Sequence, residues 1–156
     1  MSKLGTWQND DEVIRRVLKE TKTIAMVGAS KKADRASNHV MSTMQQMGYR
    51  VIPINPAMAN KNETLHGEKV YADLQSVAAE YTVDMVDIFR ASNAAGQFVD
   101  EAIAIGAKSV WLQLGVVDEE AGKRAVDADL LVVQDTCPLM EFPRLGITGP
   151  DDSSAL

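Results

Sequence analysis

The chain has 156 residues, of which 46% are hydrophobic and 24% are charged, and its net charge is −6. That length suits a single domain that buries about two thirds of its unfolded surface. The acidic balance argues against a general surface for nucleic acid or anionic membranes, because such a surface needs an excess of basic residues.

The chain has too few cysteine and histidine residues for a disulfide-stabilised protein or for a structural metal site. The single cysteine, Cys137, excludes an intramolecular disulfide framework. With only His39 and His66 beside it, the chain has no cluster at metal-ligand spacing. No apolar run approaches the roughly 18 residues of a membrane span, and no export signal is visible, so we expect a cytoplasmic protein.

Hydrophobic periodicity predicts helices and strands that alternate along the chain. A lead-in helix at about 10–21 precedes a strand at 23–27, whose continuous apolar run suits burial on both faces of a sheet. Residues 57–67 are polar and irregular, and 69–71 is predicted to be a short extended piece. The other predicted helices are 37–47, 74–80, 94–105, 118–127 and 139–145, and the other predicted strands are 49–55, 83–89, 109–112 and 130–133.

Strands that alternate with helices over short connections predict an α/β fold of the Rossmann-like, doubly wound type. The five strands form one parallel sheet with helices on both faces, because right-handed crossovers are nearly obligatory. Numbering these strands along the chain, we expect the order 3-2-1-4-5. Residues 1–147 then form one domain, and residues 148–156 form a polar, disordered tail. A ligand of such a sheet binds beyond the carboxyl ends of the strands, where the strand order reverses beside strand one.

The segment after the first strand has the composition of a phosphate-binding loop. Gly28-Ala29-Ser30 lets the chain turn sharply as it leaves the sheet. The cations Lys31, Lys32 and Arg35 follow, and Ser37-Asn38 is predicted to cap the next helix. The free N–H groups and the positive dipole end of that helix would face the loop, which favours an anion there. A solvated basic loop is the alternative.

Two features of the sequence distinguish this chain from NAD-binding Rossmann proteins. Ser30 and Ala33 stand where the dinucleotide fingerprint has its second and third glycines. The second strand ends in Asn55-Pro56, whereas an NAD site holds the ribose diol with a carboxylate at that place. Neutral Asn55 beside basic residues suits a phosphorylated ribose or a nucleotide that is held differently. A plain turn after an edge-proximal strand is the alternative.

Five segments carry a resemblance to a known family. They are Val27-Gly-Ala-Ser30 with its loop to Ser37, Gly48-Tyr-Arg-Val-Ile-Pro-Ile-Asn-Pro56, Val86-Asp-Ile-Phe-Arg90, Trp111-Leu-Gln-Leu-Gly-Val116 and Asp135-Thr-Cys-Pro138. In this order they resemble the small single-domain CoA-binding proteins, which have the fold of the N-terminal domain of the succinyl-CoA synthetase alpha subunit. The likeness spans roughly residues 11–146.

The resemblance implies a Rossmann-like domain that binds coenzyme A, free or acylated, at the switch point of the sheet. By position, the residues that would meet phosphates are Gly28, Ala29, Ser30, Arg35 and Ser37. Those that would border the nucleotide are Ile54, Asn55 and Pro56, with Phe89 and Arg90 across the cleft. From their own positions, Lys31 in the loop and Gln113 at the end of the fourth strand are further candidates. CoA suits these residues because it brings a pyrophosphate and a 3′-phosphate without needing a carboxylate for a ribose diol.

The sequence favours a binding module over an enzyme. No Ser-His-acid order, metal motif or Walker loop supplies an activated nucleophile. The acyl-CoA synthetases that share this domain work through a phosphohistidine and further domains, and we interpret His39 and His66 as structural or exposed. Asp84 and Asp87 suit helix capping or loop bonding better than catalysis, and Cys137 is either a small core residue or a reactive thiol.

An NADP-dependent oxidoreductase of the small Rossmann type is the alternative function. It would use Lys31, Lys32 and Arg35 for the 2′-phosphate, but the chain lacks a Tyr-x-x-x-Lys pair. The expected partner is therefore a small-molecule CoA ligand, with no nucleic acid and no membrane.

Overall fold

The computed structural model of the protein describes residues 9–151. Its helices are α1 (Asp11–Glu20), α2 (Ala36–Met47), α3 (Pro56–Asn60), α4 (Leu74–Ala78), α5 (Ser92–Ala104), α6 (Glu119–Asp127) and α7 (Pro138–Leu145). Its strands are β1 (Thr23–Val27), β2 (Arg50–Ile54), β3 (Thr64–Leu65), β4 (Glu68–Lys69), β5 (Met85–Ile88), β6 (Ser109–Leu112) and β7 (Leu131–Val133). Each predicted helix and each strand predicted for the main sheet is present, with ends that differ by at most two residues.

Five strands form one parallel sheet in the order β2-β1-β5-β6-β7. The α/β fold class and the parallel Rossmann-like sheet are confirmed, but the predicted order 3-2-1-4-5 is wrong, because β5 pairs with β1 and not with β2. Pro53 gives the reason. Its carbonyl accepts the Tyr71 N–H at 2.9 Å, so the position of its missing N–H also faces the outer edge of β2. Proline is tolerated at such an edge and would remove a ladder hydrogen bond in a central strand.

Helices cover both faces of the sheet, and alternate residues of each strand serve the two sides. On the first face, α4, α5 and α6 contribute Leu74, Val77, Ala95, Val99, Ala121 and Ala125, which pack with Ala25, Val86 and Val110 of the sheet. On the second face, α1, α2 and α7 contribute Ile14, Val17, Val40, Met41 and Phe142, which pack with Ile24, Met26 and Trp111. We call these the α4/α5/α6 face and the α1/α2/α7 face.

Residues 57–67 are more regular than predicted. The side chain of Asn55 accepts the Met58 N–H at 3.1 Å and caps α3, which begins with Pro56. The strands β3 and β4 form a hairpin whose two turn residues, His66 and Gly67, have φ values of 47° and 82°. Positive φ at both positions is typical of a type I′ turn. These elements are two to five residues long, which is too short for hydrophobic periodicity to reveal them.

The start of α2 differs from the prediction. Its N-cap residue is Arg35, which makes no side-chain cap hydrogen bond. Ser37 is buried in the first turn, and the side chain of Asn38 donates to the Ser30 carbonyl at 2.9 Å. The prediction that Ser37-Asn38 caps the helix is therefore wrong. The helix ends as predicted, at Gly48 with φ of 112°.

The predicted tail begins at residue 148 and is described only as far as Asp151. The Asp151 N–H donates to the Lys19 carbonyl at 2.7 Å, and its carboxylate lies 3.2 Å from the Lys19 ammonium. Residues 152–156 lie outside the described residues.

Candidate functional site

A cavity of about 560 Å³ opens at the carboxyl ends of β1, β2 and β5. This edge is the switch point of the sheet, because β2 and β5 flank β1 on opposite sides. The volume lies within the roughly 300–1,000 Å³ of small-molecule sites. The structure brings together here the predicted residues Gly28, Ala29, Ser30, Arg35, Ile54, Asn55, Pro56, Phe89 and Arg90.

Gly28 turns the chain at the base of the cavity. Its φ is +84°, and a Cβ atom on it would lie 2.4 Å from the backbone oxygen of Phe89. Ala29 donates its N–H to the Ile54 carbonyl at 3.2 Å. The loop after β1 therefore passes close to the ends of both neighbouring strands, and glycine at position 28 satisfies both the conformation and the space.

The three predicted cations of this loop lie in two places. Lys32 and Arg35 line the cavity, and neither forms an ion pair with any residue between 9 and 151. Lys31 does not line the cavity, because its ammonium lies 3.1 Å from the carboxylate of Glu63. The Ser30 hydroxyl accepts the Lys32 N–H at 3.1 Å and tightens the turn between them. One side of the cavity is therefore cationic.

Asn55 fixes the second side of the cavity. Its side-chain NH₂ donates to the Ala29 carbonyl at 2.8 Å, while its oxygen caps α3. Ile54 and Pro56 lie on either side of it and line the cavity. Asn55 thus joins the end of β2 to the loop after β1, and Pro56 presents an exposed ring beside the cavity.

The third side follows β5. Phe89 and Arg90 both line the cavity, and the Arg90 guanidinium carbon lies 5.4 Å from the centre of the Phe98 ring. That distance is within the range of a cation–π contact. Arg90 is exposed, so its guanidinium is held by an aromatic ring and remains open to solvent.

Sequence reasoning missed the walls that helices supply. Residues 72–75 around the start of α4 line the cavity, as do Gln97, Phe98 and Glu101 of α5. Asp73 caps α4, and hydrogen bonds from the side chain and backbone of Ser76 hold the pKa of its carboxyl below the usual value. The available signal was the pair Gln97 and Glu101, which stand one helical turn apart and share a hydrogen bond of 3.2 Å.

Three predicted site residues lie away from the cavity. Lys31 contacts Glu63, and Ser37 is buried in the first turn of α2. Gln113 is buried beyond β6, one strand further along the sheet than β5, and it does not line the cavity. No side-chain partner for its Oε1 atom exists among the described residues. The structure therefore gives Gln113 no direct access to the cavity.

The two candidate aspartates, Asp84 just before β5 and Asp87 within it, have different surroundings. Asp84 accepts the backbone N–H groups of Lys22 and Thr23, each at 3.0 Å, which is the loop bonding predicted for it. Asp87 lies on the α1/α2/α7 face with 0% exposure, and neither of its carboxylate oxygens has a hydrogen-bond partner in the described structure. Burial raises the pKa of Asp87 well above its usual value. The two side chains do not form a catalytic pair, because Asp84 is bonded to backbone and Asp87 is enclosed in the core.

The histidines and the cysteine lie outside the cavity lining. His39 and His66 are exposed, and the His66 ring lies 3.1 Å from the Asn38 side-chain oxygen. Cys137 is half-buried at the N-cap of α7 and packs against the core of the α1/α2/α7 face. Within residues 9–151, no helix is both long enough and apolar enough to span a membrane.

Comparison with known proteins identifies the family. The family profile described as a CoA binding domain matches residues 22–143, which is most of the chain. The chain belongs to the CoA-binding domain family. This domain is also 34% identical over 124 residues to the uncharacterized protein YneT of Bacillus subtilis (strain 168), a match that covers 80% of this chain and 87% of YneT.

Solved structures match the chain in fold. A hypothetical protein from Pyrococcus horikoshii OT3 matches with 37% identity and a TM-score of 0.79, over 88% of this chain and 93% of that protein. The apo form of a dinucleotide-forming acetyl-coenzyme A synthetase from Ca. Korarchaeum cryptofilum has a TM-score of 0.61 and 24% identity, over 76% of this chain and 27% of the synthetase. The second likeness concerns the fold. The predicted resemblance to small CoA-binding proteins is confirmed, and CoA binding in general is the property of the CoA-binding domain family.

Proposed function

We propose that this protein binds coenzyme A or an acyl-CoA without catalysing a reaction, in the cavity at the carboxyl ends of β1, β2 and β5. The observation that carries the proposal is the pair Lys32 and Arg35, which line the cavity beside an α2 N-terminus without a side-chain cap. A pyrophosphate placed there meets two cations and the positive end of the helix dipole.

The other walls suit the remaining parts of CoA. Ile54, Pro56 and Phe89 give the adenine ring or the pantetheine arm an apolar surface. Gln97 and Glu101 supply a hydrogen-bond donor and acceptors for amide groups of the arm. Glu101 also makes that wall unfavourable for phosphate, because like charges repel. The charge distribution therefore orients the ligand, with its phosphates at the loop after β1.

The groups that line the cavity support binding rather than chemistry. Asp73 is occupied as a helix cap, and the Ser30 hydroxyl accepts a backbone N–H. Among the described lining residues there is no histidine or cysteine, so a nucleophile with an adjacent base is not assembled there. A cytoplasmic location remains part of the proposal, and fractionation of cells that express the tagged full chain tests it.

Isothermal titration of ligand-free protein with CoA, acetyl-CoA, NADP and NAD tests the proposal. We expect selective binding of CoA or acetyl-CoA. Arg35→Ala should weaken it about tenfold, which equals about 1.4 kcal/mol, because the variant loses one charge-assisted contact to phosphate. Arg16→Ala is the matched control, since Arg16 is exposed on α1 and pairs with Glu20 of the same helix. Equal effects of the two substitutions would contradict the assignment of the phosphates to this loop.

An NADP-dependent oxidoreductase is the second candidate. Lys32 and Arg35 could bind a 2′-phosphate, and Asn55 stands where an NAD site has a carboxylate. Tighter binding of NADP than of CoA in the same titrations would favour it. Hydride transfer from NADPH to a panel of carbonyl compounds would then be measured by loss of absorbance of the reduced cofactor.

A further inference from the structure

A second, smaller cavity of about 190 Å³ adjoins the main one. Ser30, Lys32 and Asn55 line both cavities, so the loop after β1 and the end of β2 form the wall that the two cavities share. We call the smaller cavity the side pocket. Its outer part is formed by α3 and the residues that follow it, including Lys61 and Glu63.

The side pocket is rich in positive charge. Lys31, Lys32 and Lys61 line it, and Glu63 is the acidic residue among its lining residues. The Lys31 ammonium contacts both carboxylate oxygens of Glu63, at 3.1 and 3.2 Å. One of three cations is therefore neutralised by the protein itself, and Lys32 and Lys61 are left for an anion.

The ion pair between Lys31 and Glu63 is weak, so it opposes the entry of an anion into this pocket only slightly. The Lys31 side chain is 56% exposed and that of Glu63 is 32% exposed, and ion pairs as exposed as this one add little to stability. A phosphate monoester is close to a dianion at neutral pH and offers three acceptor oxygens, whereas a carboxylate carries one charge. A phosphate that enters the pocket can therefore replace Glu63 as the partner of Lys31.

The exchange needs only side-chain rotation, because the backbone on both sides is fixed. The Glu63 N–H donates to the Met58 carbonyl at 3.0 Å, and its own carbonyl accepts the Val70 N–H at 3.4 Å. On the other side, the Ser30 carbonyl next to Lys31 accepts the Asn38 side chain at 2.9 Å. Both residues are thus held near the pocket whether or not their side chains meet.

We propose that the side pocket binds a phosphate monoester carried on the ribose of a nucleotide whose other parts occupy the main cavity, and that Glu63 competes with this phosphate for Lys31. The inference rests on the proposed function, because it needs the nucleotide in the main cavity. Lys61 adds affinity for the phosphorylated form of the ligand. Glu63 limits that affinity and so sets how strongly the site distinguishes a phosphorylated ribose from an unphosphorylated one.

Titration of CoA and dephospho-CoA against the same proteins tests the proposal, since the two ligands differ only in the 3′-phosphate. We expect Lys61→Ala to reduce the ratio of their affinities about tenfold, with little change for dephospho-CoA. Glu63→Gln keeps the shape of the side chain and removes its charge, so the ratio should rise about threefold or more. Lys123→Ala is the control, because Lys123 is exposed on α6 and does not line either cavity.

The outcomes separate this inference from the proposed function. An unchanged affinity ratio in both Lys61→Ala and Glu63→Gln would overturn the side-pocket assignment while CoA binding stands. Equal losses for the two ligands in Lys61→Ala would also overturn it, because Lys61 would then contact the shared pyrophosphate. No binding of either ligand to the wild-type protein would overturn the proposed function and this inference together.

Discussion

The carboxyl edge of the sheet has two halves that treat polar groups in opposite ways. The open half, at β1, β2 and β5, contains the cavity, where Lys32, Arg35 and Arg90 face solvent. The closed half, at β6 and β7, has its loops joined by side-chain hydrogen bonds. These are Gly115 N–H to Asp135 at 2.8 Å, Val117 N–H to Ser92 at 2.9 Å, Asp118 N–H to Gln134 at 2.7 Å and the Trp111 indole N–H to the Thr136 carbonyl at 2.8 Å.

The difference separates folding from binding at one edge of one sheet. Parallel strands end together in both halves, and each end exposes backbone groups that need partners. In the closed half the partners are side chains of neighbouring loops. In the open half Asn55 is the lining side chain that joins two loops, and the cations around it are left for a ligand. Substitutions in the closed half should therefore change stability, and those in the open half should change binding.

Gly28→Ala should have the largest effect, and it should lower both the stability of the protein and its affinity for CoA. The substitution places a Cβ atom 2.4 Å from the Phe89 backbone oxygen at φ of +84°. Backbone strain costs about 1–3 kcal/mol, and the overlap adds about 1–3 kcal/mol. Urea denaturation should show this loss, and titration should show weaker CoA binding because the loop after β1 must shift.

Gly115→Ala in the closed half is the matched control. Its φ is +85°, nearly identical to that of Gly28, but a Cβ atom there meets nothing within 4 Å. The Gly115→Ala variant should lose only the part of the stability that corresponds to backbone strain, and it should keep its affinity for CoA. Equal destabilisation by the two substitutions would show that close approach to β5 is not what requires glycine at position 28.

Asp87→Asn tests what an unpaired polar group costs when solvent cannot reach it. Burial raises the pKa of Asp87 in the folded protein, while the unfolded chain ionises near pH 3.9. Above that pH the folded state binds more protons than the unfolded state, so stability contributed by this group falls as the pH rises through the folded pKa. Linkage sets the slope at up to about 1.4 kcal/mol per pH unit for one proton.

The variant cannot ionise, so this part of the pH dependence should disappear. The free energy of unfolding of the variant, relative to that of the wild type, should therefore rise from pH 4 to pH 7. Urea denaturation of both proteins across that pH range measures this difference. Asp84→Asn cannot serve as a control, because Asp84 accepts two backbone N–H groups and its substitution would also break these bonds. Parallel pH profiles for wild type and Asp87→Asn would contradict the neutral form of this carboxyl.

The sequence predicted the elements of the sheet and most of the open half for a physical reason. A buried parallel strand has a continuous apolar run, and its end is marked by glycine or by polar residues, as at Gly28 and Asn55. The strand order was missed although Pro53 indicated an edge. Gln113 was misplaced because it follows β6, whereas the cavity extends only from β2 to β5, a limit that depends on the strand order. Of the α5 wall, the pair Gln97 and Glu101 was an available signal, whereas Phe98 packs partly against the core and its apolar character alone does not indicate a cavity wall.

Asn55→Ala should have a smaller effect that combines both halves of the comparison. Asn55 lines the cavity, yet its two side-chain atoms bond to the Ala29 carbonyl and the Met58 N–H. Loss of the helix cap costs about 1 kcal/mol, and release of the loop should weaken CoA binding. Asn55→Asp separates the two roles, because aspartate keeps the cap and cannot donate to Ala29. Full CoA affinity in Asn55→Asp would show that the bond to Ala29 does not position the loop.

Ser92→Ala should have the smallest effect, and it should change only the stability of the protein. The Ser92 hydroxyl accepts the Val117 N–H at 2.9 Å and donates to the Gly115 carbonyl at 3.4 Å, so the substitution leaves a partly buried N–H without this partner. Such a loss costs about 1 kcal/mol, since water reaches part of the site. Thermal unfolding should detect it, and CoA affinity should stay within error because Ser92 is not among the residues that line the cavity. A loss of affinity here would mean that the closed half holds Arg90, two residues before Ser92, in its position over Phe98, and the two halves would then be one energetic unit.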